Sequence, residues 1–315
     1  MLKSILNDNY YQMSLFTVNY INIKTRDEML NNTKMKKLTR AGLAISMLFL
    51  CSCSASFTYN NLSWLSSFWV DDYVDLNKQQ NKQLKKIIET TQHWHRSTQL
   101  PAYKQDIQNI KSLFNEGIKP EQLKNQIVFA KKHWRNLLEY AYEPLAEVGL
   151  TLTPLQRKEL INNIQEQIDE ERDEFIEQTL IARKKDRLEE QLEYYEQWLG
   201  KLTPEQKTLI KLTNDKHQDS GELWLEYKQK RLNAAKEVLE STTLMQAEFI
   251  EQLSTVIKER ELYMSPVQLK VNEENLNLYV DLLNTLNTTL SDKQRENVND
   301  RFDELIDTLN DIIEG

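Results

Sequence analysis

Apolar residues recur at intervals of three and four over long stretches of this chain. Leu160, Ile164, Ile168 and Phe175 make one such seam, and Leu188, Leu192, Tyr195 and Leu199 continue it. Leu223, Tyr227, Ala234, Val238, Met245, Phe249, Leu253 and Val256 make another. This spacing gathers apolar side chains on one stripe of an α-helix, because 3.6 residues complete a turn. No stretch sustains the strict alternation of a half-buried strand. The charged residues of 166–177 and 183–190 therefore read as solvated helix faces, with Glu paired to Lys or Arg four positions on.

Helix starts are marked by a repeated pattern of an apolar residue, a polar residue, two more residues and then Gln. It occurs at Leu76 and Gln80, Ile118 and Gln122, Leu152 and Gln156, Leu202 and Gln206, Met264 and Gln268, and Leu290 and Gln294. In five of these the polar residue (Asn77, Thr153, Thr203, Ser265, Ser291) can accept from the free amides of a first turn, while the Gln reaches back to the cap. That reciprocal arrangement is a capping box. Lys119 breaks the rule at the second site. Pro120, Pro154, Pro204 and Pro266 follow the cap, where a missing amide costs nothing. Gly117, Gly149 and Gly200 precede three of those prolines and read as helix stops. The expected fold is all-α: about eight helices, some longer than 40 residues, in an elongated antiparallel bundle of long helical hairpins.

The first 52 residues have a different character. Lys36, Lys37 and Arg40 form a basic run, an apolar stretch over 41–50 follows, and then come Cys51, Ser52 and Cys53. Basic, then apolar, then small is the layout of a secretory signal. An apolar stretch of about ten residues is too short to span a bilayer, which takes about 20. Leu50-Cys51-Ser52-Cys53 resembles the lipobox of bacterial lipoproteins, with Cys53 as the lipidated residue. Choosing Cys51 instead would put bulky Leu50 at the cleavage position, where a small residue is expected. The resulting organisation is 1–34 a mis-called start or dispensable extension, 35–52 a signal peptide, and 53–315 one all-helical periplasmic domain. Ser54, standing where Asp would retain a lipoprotein at the inner membrane, implies an outer-membrane anchor facing the periplasm.

Cleavage before Cys53 would leave one cysteine, already occupied by lipid, so no intramolecular disulfide can form. Residues 1–52 carry seven of the 40 Lys and Arg and three of the 48 Asp and Glu, so the mature part holds 33 and 45 and is formally −12. Such a surface repels nucleic acid and anionic lipid. Five glycines in the mature part are too few for a phosphate-cradling loop.

Tyr59-Asn60-Asn61-Leu62 with Trp64-Leu65, Asp71-Asp72-Tyr73-Val74, Trp94-His95-Arg96 with Leu100-Pro101 and Tyr103, and Trp198-Leu199-Gly200-Lys201-Leu202-Thr203-Pro204-Glu205-Gln206 together resemble a family of proteobacterial lipoproteins known only as a domain of unknown function. The resemblance spans nearly the whole mature chain and implies fold and address, with no activity. The repeated Leu-Thr-x-x-Gln at Leu152 and Leu202 is similar to the signature of Spy-type and CpxP-type periplasmic proteins, which are small helical envelope-stress proteins, some with chaperone activity. A capping box alone accounts for that likeness.

His93, Trp94 and His95 are the most site-like cluster, yet helix positions two apart point away from each other and cannot chelate one ion. The preferred reading packs Trp94 inward and leaves both imidazoles in water. Di-iron bundles use Glu-x-x-His, but the residues three before the four histidines are Thr90, Gln92, Ala130 and Asn214. No catalytic residue, metal set or cofactor is therefore assigned, and Cys53 is the one site residue. The aromatic run Phe57, Tyr59, Trp64, Phe68, Trp69 and Tyr73 reads in two ways. Trp64, Leu65 and Phe68 either dock a first helix on the bundle, the preferred reading, or meet the membrane interface. The functional expectation is a non-enzymatic envelope lipoprotein, tethered to the membrane by lipid on Cys53, that binds protein or peptide partners in the manner of a chaperone or assembly factor. A structural spacer between membrane and cell wall is the alternative. An enzyme is a further one, and a pocket joining His93 or His133 to several carboxylates would favour it.

Overall fold

The computed structural model describes residues 55–315. Cys51, Cys53, the signal segment 35–52 and the extension 1–34 lie outside the described residues. After a helical turn over 55–60 come α1 (Leu62–Asp71), α2 (Lys78–Trp94), a π-helical turn (His95–Gln99) and α3 (Leu100–Glu116). They are followed by α4 (Pro120–Thr151), α5 (Pro154–Glu177), α6 (Leu180–Leu199), α7 (Pro204–Lys216) and α8 (Gly221–Leu239). Then come α9 (Gln246–Lys258), a 3-10 turn (Arg260–Tyr263), α10 (Pro266–Thr288) and α11 (Asp292–Glu314). The fold is an all-α bundle, and no strand occurs among the described residues. No helix among the described residues is long and apolar enough to cross a membrane.

Two cores are strung along shared rods. Ala146 of α4, Ile161 and Ile168 of α5, Leu232, Val238 and Leu239 of α8, and Phe249 and Leu253 of α9 close one core. Ile107 and Ile110 of α3, Tyr195 and Leu199 of α6, Ile210 of α7, Leu282 and Leu286 of α10, and Val298 and Phe302 of α11 close the other. The run α2, π turn and α3 is continuous and reaches roughly 58 Å at about 1.5 Å per residue. It contributes Leu84 and Ile88 to a cluster with Val70, Val74 and Leu145 at one end, and Ile107 and Ile110 to the second core at the other. α4 likewise runs from Leu123, packed on Val280 of α10, to Ala146. These two rods give the bundle its length.

The capping boxes form at Asn77, Thr153, Thr203 and Ser291, and Ser265 caps α10 through the amide of Gln268. At Lys119 only the return half exists, the Lys119 amide donating to Gln122 Oε1 at 2.9 Å. A lysine side chain carries no acceptor, so the forward half is chemically closed to it.

Four of the six repeats meet in pairs, bringing two helix starts together at each end. Gln80 Nε2 donates to Gln156 Oε1 at 3.0 Å and Gln156 Nε2 to Gln80 Oε1 at 2.8 Å. Gln206 and Gln294 do the same at 3.0 and 2.9 Å. Each glutamine also donates to a backbone carbonyl beside its partner's cap: Thr151, Asp75, Thr289 and Lys201. Every polar site on the four amides is thereby used.

The expected helices longer than 40 residues are not present, because two apolar seams that look continuous are interrupted. The seam over 160–199 breaks at Gln178 and Thr179, where Thr179 Oγ1 accepts from the Ala182 amide at 3.2 Å. Arg183 seals the break by donating to the Phe175 carbonyl at 3.1 Å and to Asp219 at 2.9 Å. The seam over 223–256 breaks at 240–245, where Ser241 Oγ accepts from the Thr243 and Leu244 amides, both at 3.3 Å. Glu248 then caps the Met245 amide at 3.0 Å. Local hydroxyl acceptors outcompete helix continuation there without any Gly or Pro. Among the described residues eleven α-helices of ten residues or more result, against about eight expected.

Gly117 and Gly200 end their helices at φ 88° and 73°, as stops should. Gly149 does not. It lies inside α4, and a Cβ there would sit 2.7 Å from Leu253 Cδ2, so its role is close approach of α4 to α9.

Candidate functional site

The run Ser97, Thr98, Pro101 sets the local backbone of a polar cluster that joins titratable side chains from several helices. Proline at 101 has no amide for the carbonyl four residues earlier, and its ring clashes with it. Ser97 and Thr98 hydroxyls take the His93 and Trp94 carbonyls at 3.0 and 2.7 Å. The helix continues by slipping one residue, the Leu100 amide bonding the His95 carbonyl five positions back. Such π turns are frequent at functional sites.

Around this slip a chain of rings is assembled from three segments. Tyr59 Oη lies 3.0 Å from His95 Nδ1, and His95 Nε2 lies 3.1 Å from Tyr103 Oη. The Tyr59 phenol donates its one proton to the Gln92 carbonyl at 3.1 Å. Its oxygen is then the acceptor for His95 Nδ1–H, which leaves His95 Nε2 to accept from Tyr103. Gln92 Nε2 returns a bond to the Tyr59 carbonyl, and Arg96 donates to Asn60 while lying 5.3 Å over the Tyr59 ring. Tyr103 meets the His133 ring edge-on at 4.5 Å, and His133 Nε2 pairs with Asp106 at 2.6 Å. Gln99 Oε1 accepts from Asn136 at 3.2 Å, tying the π turn to α4.

Burial sets the protonation states. His95 is held down to about 4, chiefly by desolvation and then by neighbouring His133, so its imidazole is neutral near pH 7. Burial pushes the Tyr59 phenol up to about 12, with Arg96 opposing, and raises Tyr103 further, with Tyr59 adding to the effect. Both phenols therefore stay protonated. Tyr59, His95 and Tyr103 form a chain of neutral donors and acceptors bonded to one another and to the Gln92 carbonyl, and it binds the 55–60 turn to the rod. Its chemistry is that of a clasp.

The arrangement differs from the sequence reading in four respects. His93 is exposed, but His95 turns inward, so the two imidazoles do not both face water. Trp94 is half-buried and stacks on Tyr140, centroids 4.2 Å apart and planes 7° from parallel, on a partly exposed face. The aromatic run divides: Tyr59, Leu65, Val70, Tyr73 and Val74 face the protein, whereas Phe57, Trp64 and Phe68 do not dock on the bundle and are 61%, 54% and 55% exposed. His133 gathers one carboxylate, Asp106, rather than several. Tyr59, Tyr103, His133 and Asp106 were not singled out as partners of His95. The available signal was Pro101 behind two hydroxyl residues inside an otherwise helical stretch.

Among the described residues, no three His, Cys, Asp or Glu side chains converge as a metal set. A groove of about 440 Å³ lies between α3 and the end of α11, lined by Pro101, Lys104, Gln105, Gln108, Asn310 and Ile313. It does not reach the His95 chain.

Comparison with curated proteins and with solved structures gives no match. Residues 72–266 match a family described as Family of unknown function (DUF6279). The match takes in His95, Tyr103, Asp106 and His133 but not Tyr59, whose segment precedes it. Covering more than half of the sequence, it places the chain in that family of unknown function.

Proposed function

We propose that this protein is a lipid-anchored envelope protein, held by Cys53 on the periplasmic face of the outer membrane, that binds protein or peptide partners and carries out no reaction of its own. The address rests on the lipobox of residues 50–53. The partner-binding reading is carried by one observation: several large apolar side chains are exposed close together in sequence. Ile176, Leu180 and Ile181 crowd the turn between α5 and α6, and Val128 and Phe129 stand side by side on α4. Grouped exposed apolar residues are typical of protein-binding surfaces. The polar cluster at His95, by contrast, is consumed by internal bonds, which supports a binding role over a reaction.

The test is crosslinking in intact envelopes followed by mass spectrometry, with photoreactive residues at Ile181 and Phe129. Partners recovered from both positions, and lost in a Cys53→Ala variant, are the expected result. Crosslinks to peptidoglycan alone would replace this reading with that of a spacer, and no crosslinks above the Cys53→Ala background would remove it. Palmitate labelling of the wild type but not of Cys53→Ala checks the anchor independently.

A further inference from the structure

We infer that the outward stripe Phe57, Trp64 and Phe68 is a docking surface for the zwitterionic phospholipid interface, laying the first helix against the membrane that holds the anchor. The inference builds on the Cys53 anchor proposed above.

The 55–60 turn meets α1 at Asn61, whose amide bonds the Phe57 carbonyl at 3.1 Å and whose carbonyl accepts from the Leu65 amide at 2.9 Å, while its own backbone, at φ −108° and ψ 16°, starts a new helix. Within α1, at about 100° per residue, Trp64 and Phe68 fall within roughly 40° of each other, and Phe57 in the preceding turn is exposed as well. Ser66 and Val70 fall within roughly 40° of each other on the opposite side of α1, with Tyr59 just before the helix and Tyr73 just after it. The second arc is the one that meets the protein: Tyr59 in the clasp, and Ser66, Val70 and Tyr73 buried. Among the described residues the first arc packs on no helix of the bundle, and Trp64 and Phe68 meet edge-on with each other at 5.0 Å. A helix apolar on both faces needs something apolar on each.

Charge and chain position identify the second surface. Residues 55–70 contain no Asp, Glu, Lys or Arg, in a chain that is 28% charged. Trp and Phe with Ser, Thr and Asn between them suit the headgroup region, where an amphipathic ring is half wet. The formal charge of the mature chain opposes anionic lipid, and an uncharged face suits a zwitterionic one. Only Ser54 separates Cys53 from the first described residue, so acyl chains on Cys53 would hold Phe57 within about 15 Å of the bilayer surface at about 3.5 Å per extended residue.

The test uses the full-length lipoprotein purified from envelopes and reconstituted in phosphatidylcholine vesicles. Trp64→Cys, Phe68→Cys and, as a distant exposed control, Leu212→Cys each carry an environment-sensitive fluorophore, and intact mass reports acylation of Cys53. The expected result is a blue shift and quenching by nitroxide-bearing lipid at 64 and 68, with neither at 212. Water-like emission at 64 and 68 in acylated protein overturns the inference. A blue shift that grows with protein density and is insensitive to nitroxide lipid also overturns it, by assigning the stripe to a second copy. Should the mass show no acyl group, the anchor reading fails by itself. The same variants carrying Cys53→Ser, added to vesicles from solution, then decide the stripe: a shift at 64 and 68 keeps it, and none discards it.

Discussion

Gln206 and Gln294 exchange two side-chain amide hydrogen bonds, at 3.0 and 2.9 Å, across the starts of α7 and α11. Each Oε1 also accepts its own helix's cap amide, from Thr203 at 3.0 Å and from Ser291 at 3.2 Å. Two helix starts, whose free amides carry like partial charge, are thus tied to each other by the residues that cap them. The pair Gln80 and Gln156 repeats the device at α2 and α5.

Replacing Gln206 by Leu should cost about 2–4 kcal/mol, because it strands the Thr203 amide and the Gln294 side chain in a buried place. The double variant Gln206→Leu and Gln294→Leu should cost clearly less than the sum of the two single changes, since each cap amide is lost once but no stranded partner glutamine is left to be counted twice. Urea unfolding of the three variants measures this. Strict additivity would mean that the two amides act as separate caps and not as a pair.

The glutamines show how far the sequence could be read. The Leu-x-x-x-Gln spacing marks a helix start because it is a local rule, and five of six predicted starts carry the predicted hydroxyl or amide cap. That Gln80 finds Gln156, 76 positions on, is a tertiary fact with no local trace. The same division explains the missed breaks: Thr179 and Ser241 are ordinary helix-surface residues by pattern, and only the docking of Arg183 on Asp219 makes the first turn legible. At the candidate site, Pro101 disclosed irregular backbone. The partners of His95 came from segments 36 positions before it and eight after it, and the histidine pattern alone pointed outward.

His95 should make stability depend on pH over a definite window. Its folded value of about 4 lies below the ordinary 6.5, so the folded state resists protonation. The contribution is fully present above about pH 6.5 and is lost as pH falls from there to about 4. At about 1.4 kcal/mol per unit it amounts to roughly 3–4 kcal/mol. His217, also near 4 through desolvation and Arg187, adds a second loss over the same window. Unfolding free energy of wild type and His95→Asn at pH 7.5 and 4.5 should show a gap that closes in acid. A gap that is constant with pH would show that His95 is not held neutral.

Tyr59→Phe removes the phenol that donates to the Gln92 carbonyl and accepts from His95, leaving the ring under Arg96. The expected global cost is about 1–2 kcal/mol. The sharper consequence is local: the 55–60 turn loses its main tie to the rod, so amides of residues 57–66 should exchange hydrogen faster while those of α7 and α11 keep their protection. Hydrogen-exchange mass spectrometry separates the two. Equal loss of protection in both regions would contradict the role of Tyr59 as a local clasp.

The close approach of α4 and α9 at Gly149 sets up a test of packing against propensity. Alanine in mid-helix gains about 1 kcal/mol over glycine, but the new methyl would stand 2.7 Å from Leu253 Cδ2, inside contact distance. Overpacking of this kind costs about 1–3 kcal/mol, and the object met is the tip of a flexible side chain, so Gly149→Ala should be mildly destabilising, by about 0–2 kcal/mol. Leu253→Ala opens a cavity in the core shared with Ala146 and Phe249 and should cost about 2–5 kcal/mol. Joined in one protein, the alanine at 149 relieves its own clash and fills part of that cavity, so the double variant should be more stable than Leu253→Ala alone. If it is instead less stable, α4 and α9 do not meet at Gly149 as closely as the geometry requires.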